Sequence, residues 1–422
     1  MSTSEFEPGS LEQSLTQVSP TVEPLIDPMA HLSPAQIEEI YKRYFAGEKT
    51  GDLIREFDVK TNLSSLLKLF PLVSRADLTC PYCSSPATQR RRAKLGQIPL
   101  PACTGCAHVY ETFDGRCGCE GCRHAFINKS NGEGLKGRIP YADLTIREKI
   151  ILLSALTMEN DLGRTSFSIY QLQKHDPKFA PTPAFYAHCQ NKLFARKIIL
   201  ISEETTHSTL ELCGMHEFTD FLLWRPNVSA SDETGKPLEI DLLRICLWNE
   251  FSEIKTEYGA ALIELMYELA IEELMEYLAH MVSLCSVNFK AWAAARSALK
   301  SLLPSKSISE IFGFIWGAVK GAEKAIGRKN INGAAHAGNL IPSNIIQAAE
   351  AFEARPPKQG HREFFRLSHI KPSQISNTIY KLILGDKDGA FKIPLPRYIS
   401  EIMQPTLEGI TTAKAAKAFF EQ

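Results

Sequence analysis

The sequence predicts a mainly α, multi-domain protein with one small metal-binding module among helical parts. Three observations carry this. Apolar residues recur at three- and four-residue intervals through most of the chain, while strand-like alternation is scarce. Seven of the eleven cysteines crowd into residues 80–124. The chain has 422 residues; one hydrophobic core sustains roughly 250, so roughly two to four domains are expected.

Composition is ordinary for a globular chain, with 44% hydrophobic and 23% charged residues. No apolar run approaches the roughly 18 residues that cross a membrane, so no membrane association is expected. Glu5, Glu7 and Glu12 stand where a secretory signal would be basic and then apolar. The expected location is cytoplasmic, where thiols stay reduced and paired cysteines signify metal rather than disulfide. The net charge of −1 conceals blocks of opposite sign. Residues 31–150 carry 18 Lys and Arg against 13 Asp and Glu, residues 201–280 carry 4 against 17, and residues 281–422 carry 19 against 10. Such blocks imply domains with different tasks, or an acidic face that docks on a basic one; unequal solvated faces are the plainer alternative.

Residues 1–30, rich in Ser, Pro, Thr and acids, are expected to form a disordered tail. Order is expected to begin in a helical module over 31–78. Ser33 suits an N-cap, Pro34 the first helical position and Gln36 a capping box. Ile37, Ile40, Tyr41 and Tyr44 then keep helical spacing up to Gly47. A second helix would bury Leu53, Ile54 and Phe57. A third, from near Asn62, would turn Leu63, Leu66, Leu67 and Phe70 inward and stop at Pro71. Three short helices in this order, with the stretch IEEIYKRYFAGEKTGDLIREFDV, resemble a resolvase-like helix-turn-helix, which implies DNA contact. The third, TNLSSLLKLF, departs from the pattern in carrying a single Lys on its reading face.

The module over 79–127 is set by its cysteines. Cys80-x2-Cys83 and, nineteen residues on, Cys103-x2-Cys106 resemble the two knuckles of a zinc ribbon or treble clef. Each pair places two thiolates on a tight turn, and two such turns complete a tetrahedron of sulfurs about 2.3 Å from the ion. Cys117, Cys119, Cys122 and His124 offer a second quartet, with His108 to spare. One or two structural Zn2+ ions are therefore expected, in sequential or interleaved sites. All-thiolate sites are closed and electron-rich, poor at acidifying water, so a structural role is expected over a catalytic one. Between the knuckles Arg90, Arg91, Arg92 and Lys94 would project on a loop suited to phosphates, or lie simply in solvent.

After a Gly-rich basic linker, residues 141–205 follow the order of a winged helix-like domain. A helix in LTIREKIILLSAL would bury Leu144, Ile150, Ile151 and Leu153; a later helix would run from Thr182 or Pro183 to about Ala195, then a strand over 197–202. His188, Gln190, Asn191, Lys192 and Arg196 would form its polar surface, for nucleic acid or for protein.

A helical domain is expected over 236–422. One or two long helices over 238–283 would bury Leu242, Ile245, Leu262, Leu265, Leu269 and Leu274. Glu264, Glu268, Glu272 and Glu276 step by four, as on a solvated face; a bundle metal site would need Glu-x-x-His, and His280 sits four away instead. Gly313, Gly317 and Gly321 make a smooth stripe for a second helix, with Phe312, Ile315, Trp316 and Val319 in the core. Further on, Ile375, Ile379, Leu382 and Ile383 keep helical spacing, opposite Ser373, Gln374, Ser376, Asn377 and Lys381. Gln374 and Asn377 are residue types that pair with adenine, so nucleic-acid contact is expected there, with an amphipathic helix capping the bundle as the alternative.

No Walker A loop, dinucleotide fingerprint or nucleophile elbow is present, so no catalytic residue is assigned and an enzyme is the less expected reading. The expected function is a zinc-containing DNA-binding protein acting on duplex DNA, as a transcription regulator or a component of a bacterial mobile-element or phage-defence locus. The alternatives are a zinc-scaffolded adaptor, docking a protein partner through the acidic 201–280 surface, and, last, a nucleic-acid hydrolase.

Overall fold

The computed structural model describes residues 27–110, 119–132, 137–158, 162–169, 177–210, 221–231, 235–252, 256–285, 287–327, 333–354, 364–368, 370–387 and 389–408. The expected tail lies outside them up to residue 26. The described chain is mainly helical and divides into two compact units, Met1–Cys119 and Glu120–Gln422.

In the first unit, α1 (Pro34–Phe45), α2 (Thr50–Glu56) and α3 (Leu66–Leu69) precede an antiparallel sheet of β1 (Val73–Thr79), β2 (Pro86–Gln89) and β3 (Ala102–Cys103), in that order. The capping box forms: Gln36 N donates to Ser33 Oγ at 3.3 Å and Ser33 N to Gln36 Oε1 at 2.8 Å. Gly47, at φ +106°, lets the chain leave α1 through left-handed backbone. Met29, Ile40, Leu53, Val59, Leu66 and Phe70 make the helical core. Arg43 clamps α1 to α2, its Nη2 lying 2.7 Å from Glu48 and 2.6 Å from Glu56. The third helix is one turn only. Asn62 and its serines close a turn instead, with Ser64 Oγ on Asn62 Oδ1 at 2.9 Å and Ser65 N on Asn62 O at 3.1 Å. Such local polar bonds compete with helix. Leu63, expected inward, is 65% exposed.

The second unit runs α4 (Glu120–Asn131), β4 (Ile139–Pro140), α5 (Ile146–Leu156), β5 (Phe167–Ser168), α6 (Pro183–Ala195), β6 (Ile199–Ile201), β7 (Leu223–Pro226), β8 (Val228–Ser229), α7 (Ile240–Ser252), α8 (Gly259–Ser283), α9 (Trp292–Leu302), α10 (Ile308–Gly327), α11 (Ala334–Asn339), α12 (Ile341–Glu353), α13 (Gln374–Asn377), α14 (Leu395–Tyr398) and α15 (Gln404–Leu407). Strands β5, β7 and β6 form an antiparallel sheet in that order, and β4 pairs with β8 in parallel. The buried Asn131 of α4 bonds the backbone of Ile201 twice, at 3.0 and 2.8 Å, and so ties α4 to β6.

Helix α8 is the axis of the core. Leu262, Leu265, Leu269 and Leu274 are buried as expected, and Tyr277 stacks on Phe312 of α10 at 3.9 Å. Its acidic row is a solvated face only in part: Glu264 is exposed and Glu268 half-exposed, while Glu272 is buried and Glu276 largely so. Arg147 of α5 grips Glu268 with both terminal guanidinium nitrogens, and Arg296 of α9 reaches Glu272 at 2.7 Å. The Thr182 hydroxyl also donates to Glu272, and Lys178 pairs with Glu276. Beside the row, the buried Glu273 takes Arg366 at 2.9 Å and Ser376 Oγ at 3.0 Å. The buried carboxylates, Glu272 and Glu273, could go inside because a cation and a hydroxyl meet each of them there, as buried charge requires.

Three further expectations shift. Helix α7 buries Ile240, Leu243, Leu247 and Phe251, one residue out of phase with the expected face, leaving Leu242 48% and Ile245 54% exposed. On α10, Phe312, Ile315 and Val319 are core but Trp316 is 42% exposed. Gly317 and Gly321 meet nothing a Cβ would touch, while Gly313 lies against the Phe364 ring rather than a helix. Finally, α13 is a single turn that continues as π-helix over Thr378–Ile383. Its polar residues turn inward: Ser373, Ser376 and Thr378 are buried, and Thr378 Oγ1 bonds Ser154 Oγ of α5 at 2.9 Å.

Candidate metal centre and basic surfaces

The four cysteines of the two knuckles converge. Cys80 Sγ lies 3.5 Å from Cys106 Sγ, and Cys83 Sγ lies 3.3 Å from Cys103 Sγ. All four sulfurs fall within 4.8 Å of one another. In a regular tetrahedron with bonds of about 2.3 Å the sulfurs stand about 3.8 Å apart, so the set fits a tetrahedral thiophilic ion.

The local sequence builds this twice over. After each C-x2-C the next residue turns left-handed, Ser84 at φ +58° and Ala107 at φ +57°. Backbone bonds close each loop: Ser84 N to Cys80 O at 3.0 Å, Cys80 N to Ser85 O at 3.0 Å, and Cys103 N to His108 O at 2.7 Å. Amides also point at sulfur, from Tyr82 to Cys80 at 3.5 Å and from Gly105 to Cys103 at 3.3 Å. Gly105 is a close approach. A Cβ there would stand 2.5 Å from Ser85 Oγ and 3.1 Å from Cys83 Sγ. Hydrogen bonds from Ser85 hold the Cys83 thiol down at about 6. A backbone bond at His108 favours the Cys106 thiolate, but burial and the neighbouring thiols outweigh it and push that thiol up. Four adjacent sulfurs cannot all ionise alone; a dication removes the conflict.

The second expected quartet comes out differently. Cys117 lies outside the described residues. Cys119 Sγ lies 3.7 Å from His108 Nδ1, so the spare histidine is the one beside a cysteine. His124 lies on α4 against Glu120, at 3.6 Å. Cys122 and His124 are two apart on that helix and point to opposite sides, so they cannot share one ion.

The basic loop is half spent on the first unit itself. Arg91 pairs with Glu38 at 2.6 Å and lies over the Tyr41 ring at 4.6 Å. Its guanidinium holds the Glu38 carboxyl below its ordinary value. Lys94 lies over the Tyr44 ring at 4.6 Å and donates to Glu48 O at 2.6 Å. Tyr41 and Tyr44 of α1, expected only as apolar positions of the helix, supply the rings of this seam. Arg90 and Arg92 remain exposed, with no acidic partner among the described residues. In the second unit α6 exposes His188, Asn191 and Lys192 but buries Gln190, whose amide bonds Tyr186 Oη at 3.1 Å, and Arg196, just past its end, pairs with Glu148 at 3.4 Å. Gln374, expected to face a base, donates its amide to Thr157 Oγ1 at 2.8 Å, and Asn377 Oδ1 is buried.

No family model, curated protein or solved structure matches the chain. No helix among the described residues is long and apolar enough to cross a membrane. The residues themselves therefore carry the functional argument.

Proposed function

We propose that the chain is a zinc-containing DNA-binding protein of the reducing cytoplasm, with a structural Zn2+ on Cys80, Cys83, Cys103 and Cys106. The observation that carries this is the four-sulfur cluster, because the strand leading out of its first knuckle ends beside the exposed Arg90 and Arg92. Zn2+ supplies rigidity there, and the arginines supply phosphate contact. The helix–strand–helix–ribbon order of α5, β5, α6, β6 and β7, with the sheet order β5-β7-β6, supports a winged helix-like domain. Helix α6 would be its reading helix, through Asn191 and Lys192. Gln374 and Asn377 drop out of the proposal because their polar atoms face protein. The role of regulator or of mobile-element or defence component follows only from DNA binding.

Titration of the full-length protein with duplex DNA against salt tests it. The logarithm of the binding constant should fall steeply, with a slope of about −0.9 per phosphate neutralised. Replacing Arg90 and Arg92 together by Ala should flatten the slope by about two such contacts and leave bound zinc unchanged. A flat response at low salt sinks the reading. A second reading, an adaptor, is favoured by one observation: Leu242, Ile245 and Trp248 form an exposed apolar stripe along α7. Under it, DNA binding is absent and changing the stripe to Ser abolishes capture of a protein partner.

A further inference from the structure

A cleft of about 400 Å3 opens in the second unit between the first turns of α6, the middle of α8, and α9. This volume is in the range of small-molecule sites. Its walls are mostly apolar, from Phe185, Tyr267, Ile271 and Leu303. Two carboxylates line it, but both are already neutralised: Glu268 by Arg147, and Glu272 by Arg296 and the Thr182 hydroxyl. Two polar groups at the cleft are not so engaged. Lys300 is exposed and has no acidic partner among the described residues. His188 stacks on Phe185 at 6.3 Å with the rings 21° apart. Burial, and then the nearby Lys192 and Arg147 cations, hold the imidazole below its ordinary value, so at neutral pH it offers one N–H and one lone pair.

We infer that this cleft binds a small organic anion with a flat apolar body, its carboxylate or sulfonate on Lys300 and its ring against Phe185 and Tyr267. The charge count decides the sign. With each acid matched to its own arginine, the unmatched charge is the Lys300 ammonium, so a cationic ligand would meet repulsion and a neutral one would leave that charge unused. A neutral His188 can donate a hydrogen bond to the anion's oxygen without adding a second cation.

Fluorescence titration of the full-length protein with 8-anilino-1-naphthalenesulfonate tests this without DNA, so its failure and that of the DNA reading are separate. One saturable site is expected. Indole-3-acetate should displace the probe, and tryptamine, the same ring with a cationic chain, should not. Lys300→Glu should weaken binding by about tenfold or more, and Lys300→Arg should keep it. Ala184→Trp should fill the cleft and abolish binding. Lys300 is exposed, so its variants remain informative if the tryptophan variant misfolds. Non-saturable binding, equal displacement by tryptamine, or unchanged affinity in Lys300→Glu overturns the proposal.

Discussion

At the scale of residues, the buried ion pairs of α8 carry the sharpest consequence. Glu273 is 4% exposed and is met by Arg366, whose guanidinium also lies over Phe391 at 4.5 Å. Removing only the cation strands a buried carboxylate, which costs about 3–5 kcal/mol. Removing both charges leaves no such orphan. Arg366→Met should therefore destabilise the second unit by about 3 kcal/mol, and Glu273→Gln combined with it should recover a large part of the loss. Urea unfolding of the two single variants and the double closes the cycle. Additive losses would mean that the pair does not interact. The sequence could not announce this pair, because 93 positions separate its members. Arg147 and Glu268 stand 121 apart. Glu268, Glu272 and Glu276 look like a wet face until partners from distant segments are folded onto them, whereas Glu264, which opens the row, stays exposed.

At the scale of elements, α6 joins two arguments, since its first turn borders the cleft and its exposed side bears Asn191 and Lys192. Thr182 starts it: its Oγ1 accepts from Phe185 N at 3.2 Å and donates to Glu272. Thr182→Ala loses the cap and one bond to a buried carboxylate, and should cost about 1–2 kcal/mol, whereas Thr182→Ser should cost little. Chemical denaturation measures both, and equal losses would show that the hydroxyl is not the operative group. Elements of this kind were legible in the sequence, because a cap, a proline and an apolar period agree locally, as at Ser33 and Pro34 of α1. The failures came where polar side chains bond locally or inward. Asn62, Ser64 and Ser65 fold a turn in place of the start of α3, and Ser373, Gln374 and Ser376 serve the core instead of a reading face. For the candidate site, the knuckle cysteines were legible from spacing alone. The half-use of the basic loop was not, since it depends on which faces of Tyr41 and Tyr44 the loop meets.

At the scale of the whole molecule, the charge blocks find an internal explanation. Cations from both sides of the acidic 201–280 block, Arg147, Lys149 and Lys178 before it and Arg296 and Arg366 after it, meet its carboxylates inside the second unit. The acidic face that docks on a basic one is in this part a contact of the chain with itself. The two units differ in what holds them. The second has a continuous apolar core drawn from Ile127 to Leu407. In the first, the helices share an apolar cluster ending at Phe70, and within the sheet and knuckles only Cys80, Ala87 and Cys103 are buried apolar positions. Burying one Ala side chain is worth on the order of 1 kcal/mol, whereas structural zinc in small modules supplies about 10–16 kcal/mol of apparent binding energy at neutral pH. With an ion on the four sulfurs, as proposed, the stability of this sheet should therefore be the metal's. On the proposal that the knuckles hold zinc, a strong chelator is expected to abolish amide protection over residues 73–110, while α5, α8 and α10 keep theirs and the second unit still unfolds cooperatively. Hydrogen exchange before and after chelation, with total zinc measured alongside, reads both halves of this expectation. Near one equivalent of zinc reports the four knuckle cysteines, and a second equivalent would come from the remaining ones. Protection that persists over 73–110 in metal-free protein would show that the ribbon holds without its four-sulfur centre.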